Sequence, residues 1–265
     1  MPDYKVLIVG YGVVGKNLFK ELSGLHPDIN DNHIKKDYLL REYDALAPFI
    51  YPPAKYDLAF ICVDTPLSED NVNLDISEVE NAINENNAEI YVVKSTCPIN
   101  AVDYLSNKTG KRIVYSPEYY GATQHCNNFN YDFVILGGKK EDCIAVQHIL
   151  QYCYDARKTF HIVDSKTAEL SKFMENAWLA TKVTFCSQFY EIAKAHGISY
   201  EDLRELFILD PRVNPSHTFI YPEHPYWESH CLDKDVQHIA WSEDRAVFLK
   251  DVIVYNKEQK DRYKS

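Results

Sequence analysis

The apolar run from Lys5 to Val9 passes directly into Gly10-Tyr11-Gly12-Val13-Val14-Gly15 and then into a helical pattern from Leu18 to Leu25. Strand, GxGxxG and helix in that order leave few folds open. The run reads as a buried parallel strand, and the turn after it sits at a helix N-terminus. The first glycine permits the tight turn, and the second lets a pyrophosphate approach the backbone. The third allows close helix–strand packing, while the helix offers the positive end of its dipole. Gly10, Tyr11, Gly12, Val13, Val14 and Gly15 are therefore the first candidate cofactor-binding residues. The expected fold is α/β: a Rossmann-type doubly wound parallel sheet, followed by a long central helix and a small helical domain.

In such a unit an acid about 20 residues beyond the turn binds the ribose hydroxyls. The stretch His26 to Asp31 is short for a strand. Asp31 stands at the better distance and Asp28 is the alternative. An acid there favours NAD over NADP, because it would repel a ribose phosphate. His33 to Lys55 has weak periodicity and reads as an irregular crossover.

Three more buried-strand patterns end on polar groups. Asp57 to Val63 closes on Asp64-Thr65-Pro66, Ile90 to Val93 on Lys94-Ser95-Thr96-Cys97-Pro98, and Ile113 to Tyr115 on Ser116-Pro117-Glu118. Ligands of open α/β sheets bind outside the carboxyl ends of strands. Val63, Thr65, Ser95 and Thr96 join the cofactor candidates on that ground, and Glu118 stands beside them. A helix over Asp75 to Asn84, capped by Asp75 or Ser77, and a strand from Phe133 to Leu136 continue the alternation. The expected division is a dinucleotide-binding domain over residues 1–155 and a helical linking domain over 156–265.

Asp164 or Ser165 opens a helix that runs to Gly197 at its C′ position. A helix this long, apolar over much of its circumference, is often a central strut or dimer element. Lys172 and Asn176 lie four positions apart on it and share a face. Taken alone, they read as a surface lysine and a satisfied amide. Ser199 to Asp202 starts a further helix. Pro211, Pro215, Pro222 and Pro225 hold the next segment nonhelical until Cys231-Leu232-Asp233-Lys234-Asp235. The charged stretch from Asn256 to Ser265 is expected to fray.

Composition narrows the function classes. A net charge of −11 argues against nonspecific nucleic-acid or anionic-membrane binding. No apolar run is long enough to span a bilayer, and the N-terminus runs straight into a strand. The seven cysteines form no CxxC pair and suit a reducing cytoplasm. His224, His230 and His238 fit no common ligand spacing, so no metal is expected.

Eight segments in collinear order resemble the UDP-glucose/GDP-mannose dehydrogenases. They are Gly10 to Gly15, Cys62-Val63-Asp64-Thr65-Pro66, Lys94 to Pro98, Ser116-Pro117-Glu118-Tyr119, Glu169-Leu170-Ser171-Lys172 to Asn176, Thr181 to Phe185, Asp210-Pro211-Arg212-Val213, and Cys231 to Asp235. The resemblance implies a Rossmann domain and a long linking helix that commonly mediates dimers, hence a homodimer. It implies oxidation of a sugar primary alcohol to a carboxylate with two NAD, as in UDP-glucose 6-dehydrogenation. Cys231 would capture the aldehyde as a thiohemiacetal, which a second hydride transfer converts to a thioester. Lys172 would stabilise the oxyanion and Asn176 would place the sugar oxygen. Thr96, Glu118 and Asp235 would position water or assist proton transfer, and Arg212 matches a substrate-loop arginine. Glu118, Lys172, Asn176 and Arg212 are thus the substrate-binding candidates. A thiol beside Lys172 at a helix start gains thiolate character, while Asp233 and Asp235 oppose it.

The sequence departs from the family at three places. The glycine-rich loop before the cysteine is replaced by Tyr226-Trp227-Glu228-Ser229-His230, whose side chains are expected to occupy volume where a sugar would lie. Ala122 stands where a second glutamate is usual. The further domain that holds the nucleotide half of the substrate is expected to be missing. Two alternatives stay open: a 3-hydroxyacid-type dehydrogenase, which also carries a lysine and an asparagine four apart but needs no cysteine, and a noncatalytic dinucleotide-binding protein.

Overall fold

The computed structural model describes residues 4–30, 55–120 and 131–264. Asp31, Ala122 and most of the crossover from His33 to Lys55 lie outside the described residues.

Strands β1 (Val6–Val9), β2 (Asp28–Asn30), β3 (Tyr56–Ile61), β4 (Ala88–Val93), β5 (Ile113–Tyr115), β6 (Phe133–Gly137) and β7 (Thr159–Val163) form one sheet in the order β2-β1-β3-β4-β5-β6-β7. Successive side chains point to opposite faces. Leu7, Val9, Ala59, Ile61, Tyr91 and Val93 therefore enter one core, while Ile8, Leu58, Phe60, Ile90 and Val92 enter another. A sheet covered on both faces explains why these strands read as continuous apolar runs.

Helices α1 (Val13–Glu21), α2 (Ser77–Glu85), α3 (Ala101–Thr109) and α4 (Lys140–Leu150) alternate with the strands. The strand pairs are parallel, as expected of the doubly wound fold, except β5 with β6, where Tyr115 faces Gly137 in antiparallel register. No helix among the described residues lies between β5 and β6, and an antiparallel pair needs no helical crossover. The N-cap of α3 is Asn100 in the left-handed region, with no side-chain capping bond, and β7 is only partly buried.

The chain divides into two compact units, residues 1–66 with 75–172 and residues 67–74 with 173–265. The boundary expected from sequence, at residue 155, precedes β7, which pairs with β6 along its whole length. The structural division falls inside the long helix α5 (Ser165–Ala195). Asp164 opens that helix by accepting the Thr167 N–H at 2.9 Å. Glu169, in the second turn, ties the helix to the rest of the first unit. Its carboxyl group accepts the Asn100 and Val102 amides at 2.6 and 2.9 Å, at the start of α3.

Glu169 is fully buried, and burial pushes its acid up to about 7 against the opposing pull of the two amides. The folded value lies above the ordinary one near 4.5, so folding favours the protonated form. Its contribution is complete below pH 4.5 and is lost as pH rises through about 7. The loss should be about 2–3 kcal/mol. Urea titrations at pH 5 to 8 check this: Glu169→Gln should lower overall stability, since it removes one acceptor, yet flatten the slope.

The second unit holds the rest of α5 with α6 (Tyr200–Phe207), α7 (His230–Ser242) and α8 (Val247–Lys264). Ser199 caps α6 by accepting the Asp202 N–H at 3.2 Å. Ala180, Trp227, Val236 and Val252 form its buried cluster. Trp227 is 6% exposed, and its indole N–H donates to Thr184 Oγ1 at 2.9 Å. The bulk expected to fill substrate volume is, at Trp227, part of the core instead. The fraying expected from Asn256 onward is also corrected, because α8 continues to Lys264. Asn256 is buried, and its amide both accepts the Trp227 N–H and donates to the Trp227 carbonyl, each at 2.9 Å. Lys260 pairs with Asp233 at 2.7 Å.

Candidate active site

In the first unit the glycine turn meets its steric demands. Gly10 has φ +90°, and a Cβ there would lie 2.6 Å from the Cys62 carbonyl oxygen. A Cβ at Gly15 would lie 2.1 Å from the Gly10 oxygen. At Gly12, the N-cap of α1, a Cβ would meet nothing within 4 Å. Open space at a helix N-terminus with no acidic residue in the first turn fits a dinucleotide pyrophosphate. The Tyr11 ring is buried, edge-on to Phe19 at 5.9 Å. Val13 is 57% exposed at the first position of α1. Asp28, the alternative ribose acid, accepts the Tyr56 hydroxyl at 2.9 Å.

The ends of β3 and β4 are knitted together by the candidates found there. Ser95 Oγ donates to the Val63 carbonyl at 2.6 Å, and Thr65 Oγ1 donates to the Thr96 carbonyl at 2.8 Å. Both hydroxyl groups thereby shape the two loops. One charged residue in this region is absent from the sequence-based candidates. Lys94 is buried, and its ammonium donates to Ser116 Oγ at 3.2 Å and pairs with Glu118 Oε2 at 3.1 Å. Its signal is a lysine directly following the apolar run Ile90 to Val93. Glu118 Oε1 accepts the Tyr119 N–H at 2.9 Å. The Tyr119 ring in turn lies 4.8 Å from the Lys172 ammonium. Burial pushes the neighbouring Cys62 thiol up to about 12, with Lys94 lowering and Glu118 raising it, so Cys62 is a neutral thiol.

In the second unit Cys231 is exposed at the second position of α7. Ser229 Oγ accepts the Leu232 N–H at 3.0 Å, and Asp233 Oδ2 accepts the Ser229 N–H at 2.6 Å. This reciprocal cap fixes the turn that carries the thiol. The N-terminal end of a helix favours the thiolate. Each of the two acids expected to oppose that effect has a lysine partner. Asp233 faces Lys260, while Asp235, 1% exposed, takes Lys234 Nζ on Oδ1 at 2.7 Å and Asn176 Nδ2 on Oδ2 at 2.6 Å. Asn176 and Asp235 are thus brought together as one hydrogen-bonded pair. His238 is buried on the same helix, with Nδ1 2.9 Å from the Val72 carbonyl, and burial lowers its pKa. Arg212 is not gathered with these groups: its side chain is 88% exposed and forks onto Asp210.

No group of three or more His, Cys, Asp or Glu among the described residues is placed to hold a metal ion, and no described helix is long and apolar enough to cross a membrane.

Residues 28–156 match the NAD binding domain, and residues 166–257 the central domain, of the UDP-glucose/GDP-mannose dehydrogenase family. The chain belongs to that family. Among curated relatives of this family member, the GDP-mannose 6-dehydrogenase of Pseudomonas syringae pv. tomato is 27% identical over 205 residues, covering 70% of this chain and 46% of that protein. The UDP-N-acetyl-D-mannosamine dehydrogenase of Methanocaldococcus jannaschii is 25% identical over 209 residues, covering 75% and 48%. The chain thus spans about half the length of these relatives. The structure of a UDP-glucose dehydrogenase from Pyrobaculum islandicum shares the fold, with a TM-score of 0.76 at 20% identity over 96% of this chain and 68% of that one.

Proposed function

We propose that this family member is an NAD-dependent dehydrogenase that oxidises the primary alcohol of a nucleotide sugar to a carboxylate through Cys231. The observation that carries the reading is the second-unit constellation: an exposed thiol at the start of α7, followed by an Asp235 carboxylate held by both Lys234 and Asn176. Family membership supports it, and the substrates named for the relatives supply the class.

Bound NAD would accept the hydride, held at the glycine turn by Gly10 to Gly15 and at the strand ends by Val63, Thr65, Ser95 and Thr96. Cys231 attacks the aldehyde carbon, and Lys172 stabilises the oxygen's developing charge. Asn176 orients the sugar oxygen. Asp235, Glu118 and Thr96 order the water that releases the acid. The thiolate serves because its adduct retains the hydride that the second oxidation removes.

A second copy of the chain is the proposed partner. Met174, Trp178, Phe185, Phe189 and Ile192 recur at spacings of three, four and seven along α5, and all are at least 40% exposed. Such a stripe suits helix-to-helix packing between copies.

The test is NADH release with UDP-glucose, UDP-N-acetyl sugars, GDP-mannose and simple hydroxyacids. The expected result is two NADH per nucleotide sugar consumed. One NADH per hydroxyacid would move the protein to the single-oxidation class, and NAD binding without turnover would mark it as noncatalytic. Light scattering on the same preparation reads the dimer.

A further inference from the structure

We infer that Tyr119 is a positioning residue for Lys172, itself held in place by the buried Lys94 acting through Glu118. The inference rests on the oxidation proposed above.

Lys172 is only 8% exposed, and its ammonium sits 4.8 Å from the centre of the Tyr119 ring. An aromatic face attracts a cation, and does so more strongly when water is excluded.

The ring is fixed from two sides. Phe133 of β6 meets it edge-on at 5.3 Å, and Tyr131 lies at 5.9 Å. Its own N–H donates to Glu118 Oε1 at 2.9 Å, while Glu118 Oε2 lies 3.1 Å from Lys94 Nζ. Lys94 is 8% exposed and also reaches Ser116 Oγ at 3.2 Å, so it ties the end of β4 to the segment after β5. Both Glu118 oxygens are thereby engaged at the residue before the ring. The contacts form one course from the end of β4, through Glu118 and Tyr119, to the first turns of α5.

Tyr119→Phe keeps the ring face, whereas Tyr119→Leu keeps an apolar side chain and removes it. With the sugar that the wild type turns over, Tyr119→Leu should lower kcat about 10-fold, the scale of a desolvated cation–π contact. The KM for NAD should not change, and Tyr119→Phe should stay within about twofold of wild type, on the same scale. Equal kcat losses in both variants, or none in either, would overturn the proposal.

A second arm needs no turnover. A double-mutant cycle of Tyr119→Leu and Lys172→Met in urea should show about 10-fold coupling in the unfolding constant. Additive effects would overturn the contact even in an active enzyme. If the wild type reduces no NAD with any sugar, the proposed reaction fails while this cycle still decides the seat. Lys94→Met leaves both members of the pair in place and covers the case in which Tyr119→Leu does not fold. It should reduce kcat about threefold or more on the same cation–π scale, and an unchanged kcat would remove Lys94 from the proposal.

Discussion

Cys231→Ser is expected to reduce the conversion of a nucleotide sugar to its acid by about 10³-fold or more, the scale of losing a covalent nucleophile. Cys231 is exposed at the start of α7, where the helix dipole favours a thiolate. A serine hydroxyl at the same place would be neutral at pH 7 and needs a base to become nucleophilic. The aldehyde would then have no thiohemiacetal through which to lose its second hydride. NADH counted per sugar consumed checks the first part. Intact-mass analysis of protein quenched during turnover checks the second, since wild type should carry the sugar as an acyl adduct and the variant should not. Two NADH per sugar from the serine variant would eliminate the covalent route.

Asp235→Ala is expected to destabilise the second unit by about 3–5 kcal/mol, the usual penalty for breaking a buried ion pair. Asp235 is 1% exposed, and its removal leaves the Lys234 ammonium, itself 11% exposed by side chain, without its carboxylate. The Asn176 amide loses its acceptor in the same step. Asp235→Asn keeps the volume and one acceptor oxygen and should cost less, about 1–3 kcal/mol. Asp210→Ala is the contrast, because the Asp210–Arg212 fork lies in solvent and should leave stability unchanged. Urea denaturation followed by tryptophan fluorescence reads all three, since Trp227 lies in the core of this unit. Equal stability of the Asp235 and Asp210 variants would show that the buried pair contributes nothing net. Loss of activity with Asp235→Asn at retained stability would place Asp235 in the chemistry.

The first strand, its glycine turn and the following helix were legible in the sequence because their requirements are local. Gly10 must adopt a positive φ, Gly15 must let a carbonyl approach, and β1 must be apolar on both faces. The polar groups ending β3, β4 and β5 could be placed by the same rule, since a strand's carboxyl end is set by where its apolar run stops. The caps at Asp164 and Ser199 are equally local, each satisfied within three residues.

What the sequence could not show were partners distant along the chain. Lys94 looks like an ordinary lysine until the fold brings Glu118 within 3.1 Å. Trp227 and Glu228 both read as bulk in a substrate loop; packing against Ala180, Val236 and Val252 puts Trp227 in a core, while Glu228 pairs with Lys264 at the surface. The charged end of α8 has only the solvent-exposed Lys257–Asp261 pair as local ion-pair support among the described residues, yet Asn256 and Lys260 find Trp227 and Asp233 more than twenty residues away. Only tertiary structure decides such contacts, because their free energy depends on which side chains share a low-dielectric space, a property that no local pattern encodes.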